Sequence, residues 1–253
     1  MKVLVLGAGG WVGRAVIARL SETHTVRAFD RGQEGWDAWL DIDGEWTGGE
    51  IVHGDISDPA VVDAAVEGMD AVVHAAVYFP EEDEKGVTAF KINVLGCWNV
   101  LDAARRHGIR RVVHIGSCQT EHPRDIFFTA DVRRPDAGLY GTTKRLQEEM
   151  CRIFSEDGGL RIIVFRSDYV VDTRLGLGRY REKLGPESGH PTRNGWVCRH
   201  DLAEACRLAV ENVQIDFDIF HIVGTPEADA SCNVARSREV LGLTYQGNLE
   251  QYR

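Results

Sequence analysis

"KVLVLGAGGWVG", residues 2–13, is the stretch on which the fold turns. Residues 2–8 are almost continuously apolar, as expected of a strand buried on both faces, and "VGRAVIARLSE" (12–22) has the apolar spacing of a helix. Between them lies Gly7-x-x-Gly10-x-x-Gly13. In a strand-to-helix turn, the first glycine permits the tight bend and the second lets backbone amides approach a pyrophosphate. The third lets helix and strand pack closely, and a bound anion rests on the positive helix N-terminus. Such turns also occur without a ligand, so the neighbouring segments decide the reading.

The second strand, "HTVRAFD" (24–30), ends in Asp30, placed to accept hydrogen bonds from the adenosine ribose hydroxyls. A carboxylate there repels a 2′-phosphate and favours NAD. Arg31 follows directly and leaves NADP open. Asp55 and Ile56 close a third strand, "GEIVHGDI" (49–56), where the carboxylate can meet the adenine amino group. A fourth, "MDAVVHAAV" (69–77), ends in the small residues Ala75, Ala76 and Val77, which let a nicotinamide ribose lie against the backbone. Trp11 and Val12 complete the turn. Cofactor-compatible chemistry thus recurs at several strand ends.

Helices are expected at 59–68, 89–108 and 140–159, with strands at 110–117 and 160–167. Strands alternating with helices of ten or more residues imply right-handed βαβ units, an α/β Rossmann-type doubly wound parallel sheet. The pattern breaks at 168–195, a Gly-, Pro- and Arg-rich loop or small subdomain. It resumes with a helix at 199–213, a strand at 217–224 and a short helix at 230–242. We expect a dinucleotide-binding domain over 1–166 carrying the chemistry. Residues 167–253 should form a small substrate-binding region interleaved with the last Rossmann elements. The acidic, tryptophan-bearing insertion "WDAWLDIDGEW" (36–46) has no functional reading at this level.

Bulk properties are those of a soluble globular chain: 43% hydrophobic and 27% charged over 253 residues. A formal charge of −10 argues against a nucleic-acid surface. No run reaches the roughly 18 apolar residues of a membrane span, and the run after Lys2, broken by Gly7 after four residues, is too short for a signal peptide. The six cysteines (97, 118, 151, 198, 206, 232) never come closer than eight positions, so metal-type pairs are absent. Reduced thiols, a cytoplasmic location and no metal are expected.

The segments "GAGGWVG", "HGDISD", "VVHAAV", "INVLGCWNVLDAARRHGIRRVVHIGS", "YGTTK" and "RHDLAEA" together resemble the extended short-chain dehydrogenase/reductase family of NAD-dependent epimerases, dehydratases and dehydrogenases. The resemblance spans most of 1–166 and thins beyond. It implies a catalytic serine at the end of the fifth strand, where Ser117 stands 23 residues before Tyr140. It also implies that Asn93 helps to position the active site and cofactor. "SDYVVDT" lacks the Asn-Val-Tyr-Gly-Pro-like stretch often found after the sixth strand, and Leu6 replaces a common threonine. With the short chain, these departures point toward a compact substrate, as in the uronate and sugar dehydrogenases of this fold. Family members commonly pair two long helices across a dimer axis, so a homodimer is implied by analogy.

In that frame Tyr140 is the base and Lys144, one helical turn on, is the cation expected to lower its pKa. Ser117 would hold the substrate oxygen, and the nicotinamide would take the hydride. Alone, Tyr-x-x-x-Lys is equally a helix turn with an exposed lysine. Gln119 and Tyr169 are candidate substrate contacts, with Ser167 beside them. Arg174, Arg179, Arg181 and Lys183 form a basic cluster suited to an anionic substrate or, as a bland alternative, to a solvated loop. His74 and His114 read as satisfied core histidines and Cys118 as a buried, inert thiol. Three activities fit: an NAD-dependent dehydrogenase of a small sugar, sugar acid or polyol; an NAD-retaining epimerase or dehydratase; and a non-catalytic dinucleotide sensor.

Overall fold

A computed structural model describes residues 1–81, 85–121, 138–157 and 159–253. Its strands are β1 (Lys2–Leu6), β2 (Thr25–Asp30), β3 (Gly49–His53), β4 (Ala71–His74), β5 (Arg111–Ile115), β6 (Ile162–Arg166), β7 (Tyr169–Asp172), β8 (Leu177–Gly178), β9 (Trp196–Cys198) and β10 (Phe217–His221). Seven of them form one all-parallel sheet in the order β10-β6-β5-β4-β1-β2-β3. The other three form a small sheet, β8-β7-β9, in which β7 and β8 come from the segment expected to be irregular and β9 follows directly after it.

Side chains alternate across each strand and build two apolar layers. Val3, Val5, Val73, Val113 and Ile163 face one layer, covered by the Trp11–Leu20 and Arg199–Glu211 helices. Leu4, Leu6, Val72, Val112 and Ile162 face the other, under the Gly96–Arg106 and Leu139–Glu156 helices. This double burial explains why the strands read as unbroken apolar runs.

Several expected elements end sooner than the apolar pattern did. β4 stops at His74, and Ala75–Val77 leave the ladder as loop. The expected helix at 89–108 is composite: a short turn at Val87–Ala89, a π-helical turn at Phe90–Leu95 and regular helix from Gly96. The wide turn holds Asn93, whose backbone carbonyl accepts from Gln147 Nε2 at 2.7 Å.

The tryptophan insertion folds as two short helices, Gln33–Asp37 and Leu40–Asp43. Trp36 is buried, Trp39 packs on Trp11 with centroids 4.8 Å apart, and Trp46 stacks on Trp36. Asp43 anchors the insertion to Arg199 through bonds of 2.7 and 2.9 Å. Arg199 is 2% exposed and also donates to Asp172 at 2.7 Å, tying the insertion to the small sheet.

Candidate active site

From β1 the chain winds outward to β2 and β3, then returns to place β4 on the other side of β1. Open parallel sheets bind ligands at such a reversal, outside the carboxyl ends of the strands. Here a cavity of about 1260 Å³ opens at that point. It exceeds the roughly 300–1,000 Å³ of ordinary ligand pockets and leaves room for a dinucleotide with a small second ligand.

The glycine turn forms its floor. Gly7 sits at φ +81°, and a Cβ there would lie 2.6 Å from the Ala76 nitrogen. A Cβ on Gly13 would meet the Gly7 carbonyl oxygen at 1.9 Å, so this helix can cross β1 so closely only on glycine. No side chain caps the Trp11–Leu20 helix at Gly10, which lines the cavity. Its first amides are therefore available to an anion.

Asp30 lines the same cavity and accepts from the Gly9 and Arg31 amides at 2.8 and 2.7 Å. Asp55 accepts from the Ser57 amide and hydroxyl at 2.8 and 2.7 Å. Burial raises its pKa, but these bonds and Lys91 outweigh that effect and hold it below the ordinary value. Arg31, Ile56, Ala75, Ala76 and Val77 also face the cavity. Asn93 does not. Its side chain bonds the Tyr78 backbone on both sides (2.7 and 2.9 Å) and Thr143 Oγ1 (3.1 Å), so it braces the loop after β4 instead of reaching the cofactor space.

Ser117, Tyr140 and Lys144, from two separate segments, line the far end. Ser117 Oγ accepts from the Gln119 amide at 3.1 Å and hydrogen-bonds Tyr140. Lys144 Nζ donates to the Ile115 carbonyl at 2.8 Å and lies 5.9 Å from the Tyr140 ring centre. Burial lowers the Lys144 pKa to about 8. The depression expected for Tyr140 does not result. Burial pushes its phenol up to about 12, with the Arg179 guanidinium and the Ser117 bond pulling in the opposite direction. The lysine expected to supply that pull is engaged by a backbone carbonyl, and Arg179 acts from the cavity mouth.

Gln119, Ser167, Tyr169 and Arg179 also line the cavity. Arg174 does not. Its amide is held in a turn on Asp172 Oδ1 (2.8 Å) and its side chain is exposed. Lys183 is exposed outside the cavity, and Arg181 pairs with Asp41. Cys118 is a buried thiol with its pKa pushed well up by burial. His74 and His114 are core residues as expected, but they are not satisfied: neither ring has a hydrogen-bond partner on either nitrogen.

Sequence reasoning missed Trp39, Phe79, Asp168 and Tyr180, all of which line the cavity. Phe79 stacks on Tyr140 at 5.1 Å, and Arg179 stacks on Phe79 at 3.7 Å. An aromatic directly after the strand-end "HAAVY" was the one visible signal.

A switch-point crevice with this turn and these acids defines a Rossmann-type, nicotinamide-dependent enzyme. The NAD dependent epimerase/dehydratase family matches residues 3–171, and the chain belongs to that family. It is 26% identical over 230 residues to an L-arabinose 1-dehydrogenase (NAD(P)(+)) of Haloferax volcanii, covering 83% of this chain and 82% of that protein. It is 30% identical over 168 residues to the uronate dehydrogenase of Agrobacterium fabrum, covering 65% of this chain and 60% of that protein. A solved short-chain dehydrogenase/reductase superfamily protein from Agrobacterium tumefaciens with bound NAD superimposes with a TM-score of 0.78 at 22% identity. That alignment covers all of this chain and 94% of the other. Among the described residues, no helix is long and apolar enough to cross a membrane.

Proposed function

We propose that the protein is an NAD-dependent dehydrogenase oxidising a hydroxyl of a small sugar, preferentially a sugar acid, with Ser117, Tyr140 and Lys144 as its catalytic residues. The carrying observation is that these three and Arg179 face one cavity continuous with the glycine turn. The names of the two relatives support the substrate class.

NAD, bound along Gly7–Gly13, Asp30 and Ala75–Val77, supplies the hydride acceptor. Tyr140 takes the proton of the substrate hydroxyl. Ser117 holds the substrate oxygen within reach of the phenol. The Ser117 hydroxyl and the Arg179 charge both stabilise the phenolate. Lys144, held by the Ile115 carbonyl, presents an ammonium beside the same ring. Arg179 offers a guanidinium fork to a substrate carboxylate. Phe79 beneath it keeps the fork at the mouth, and Gln119 and Tyr169 flank the substrate. In this reading residues 1–166 carry the cofactor and catalytic groups, and 167–253 supply Arg179 and Tyr169.

The test is incubation with excess NAD and a panel of uronic acids, aldoses and polyols. The expected result is accumulating reduced-cofactor absorbance, strongest with a uronic acid. Substrate conversion without net reduced cofactor would instead assign an epimerase or dehydratase that returns the hydride. No conversion with any member, despite tight NAD binding, would favour a sensor.

A homodimer is part of the proposal. Trp98 and Ile153, on the helices expected to pair, are 48% and 51% exposed, with Leu95 and Phe90 beside them. Light scattering at the monomer mass would remove it. All six cysteines are free thiols, which fits a reducing compartment such as the cytoplasm.

A further inference from the structure

His74 and His114 are register partners on β4 and β5, with ring centres 5.1 Å apart. They point to the layer beneath the Gly96–Arg106 helix, where Cys97 meets them. The ligating atoms of the three lie within 4.8 Å of one another, the one such group among the described residues. All three are at most 1% exposed. Four buried imidazole nitrogens without a partner are unusual in a folded protein and ask for a ligand. A fourth candidate stands beside them: Cys151, from the Leu139–Glu156 helix, is fully buried next to Cys97.

We propose that His74, Cys97, His114 and Cys151 form a structural zinc site. Two sulfurs and two imidazoles are the usual ligand set of a closed tetrahedral Zn²⁺ centre. Ligand atoms in such a centre are roughly 3.3–3.7 Å apart. Closing His74, Cys97 and His114 to that spacing needs side-chain shifts of about 1 Å, and the Cys151 sulfur must swing in to join them.

Charge requires the fourth ligand. The Lys144 ammonium is close enough to bear on His114, Cys97 and Cys151. A cation held by two histidines and one thiolate would keep a net positive charge beside it. The second thiolate makes the filled site neutral. Gln147 Oε1, buried and unpartnered near His114, can accept the ring N–H that a metal-bound imidazole turns outward. With four protein ligands and no open position, the ion would pin two strands and two helices together directly behind Lys144.

The interior is sealed, so the metal must enter as the chain folds. The full chain is therefore expressed in medium supplemented with zinc or with cobalt and purified under reducing conditions. We expect stoichiometric metal by elemental analysis. The cobalt form should show the visible bands of tetrahedral Co²⁺ and a thiolate-to-cobalt charge-transfer band. Cys97→Ser and Cys151→Ser should each lose the charge-transfer intensity and the stoichiometric metal. Wild-type protein that folds without retaining metal overturns the site, whatever the variants do. So does metal whose spectrum is unchanged in Cys97→Ser, or a Cys97–Cys151 disulfide in metal-free protein purified without reductant.

Discussion

Arg181 and Asp41, 140 residues apart in sequence, meet through two bonds of 2.7 and 2.8 Å between guanidinium and carboxylate. Arg181 also donates to the Ala38 carbonyl at 2.5 Å and lies over the Trp39 ring at 5.1 Å. Among the described residues it is the one non-glycine at positive φ, +67°. Its segment carries Arg179 and Tyr180 and is thereby fastened to the tryptophan wall of the cofactor cavity.

That fastening predicts a cofactor effect from a residue outside the cavity. Arg181→Ala should weaken NAD binding by about three-fold, the scale of an exposed ion pair. Arg181→Gly should weaken it similarly while tolerating the left-handed backbone better. Equal NAD dissociation constants for all three proteins, measured by calorimetry, would detach the segment from cofactor retention.

Removing the phenol oxygen separates chemistry from binding. Tyr140→Phe should lower kcat by about 10²- to 10⁴-fold, the usual contribution of a positioned acid or base. NAD affinity should be unchanged by titration. Retained turnover would eliminate Tyr140 as the base.

The upward displacement of Tyr140, opposed by Arg179, has a direction in pH. The base form is the deprotonated one, so oxidation should accelerate as pH rises. Replacing Arg179 by Met removes a charge that favours phenolate. The rising limb of log kcat/KM should then move to higher pH with a neutral substrate. A stationary limb would show that Arg179 does not reach the phenol.

Asp172 is 1% exposed and accepts from Arg199 at 2.7 Å, with His200 Nε2 at 3.1 Å. Burial raises its pKa, but the His200 and Arg199 bonds outweigh this and hold it well below the ordinary carboxylate value. The folded pKa is thus below the unfolded one. Its stabilisation is present at neutral pH and fades as pH falls below about 4 toward the folded value. Asp172→Asn, which leaves Arg199 short of a counter-charge, should cost about 3 kcal/mol at pH 7. It should also flatten the acid loss seen in urea midpoints.

Features written in a few adjacent residues could be read without a structure. The glycine turn, Asp30, and the Ser117, Tyr140 and Lys144 positions follow from strand ends and helix starts, which local pattern locates well. Features depending on where a loop is tied could not. Arg174 and Arg179 looked alike in one basic run, but the Asp172 turn holds the first outside the cavity while β8 delivers the second to its mouth. Trp39 became a cavity wall because Arg199 and Arg181 grip Asp43 and Asp41 from more than a hundred positions away. The Tyr140 shift was missed because burial depth, unlike charge, leaves no trace in spacing. The two histidines were correctly placed inside, but their lack of partners is a property of neighbours in space.

The outer position of β10 bears on how the polypeptide acquires its shape during synthesis. β6 pairs with β5 on one side and with β10, some fifty residues downstream, on the other. Until residues 217–221 have left the ribosome, the hydrogen-bonding flank of β6 stays bare and adhesive. A fragment ending near 166 would therefore tend to aggregate, even though it contains every group assigned to the chemistry except Tyr169 and Arg179.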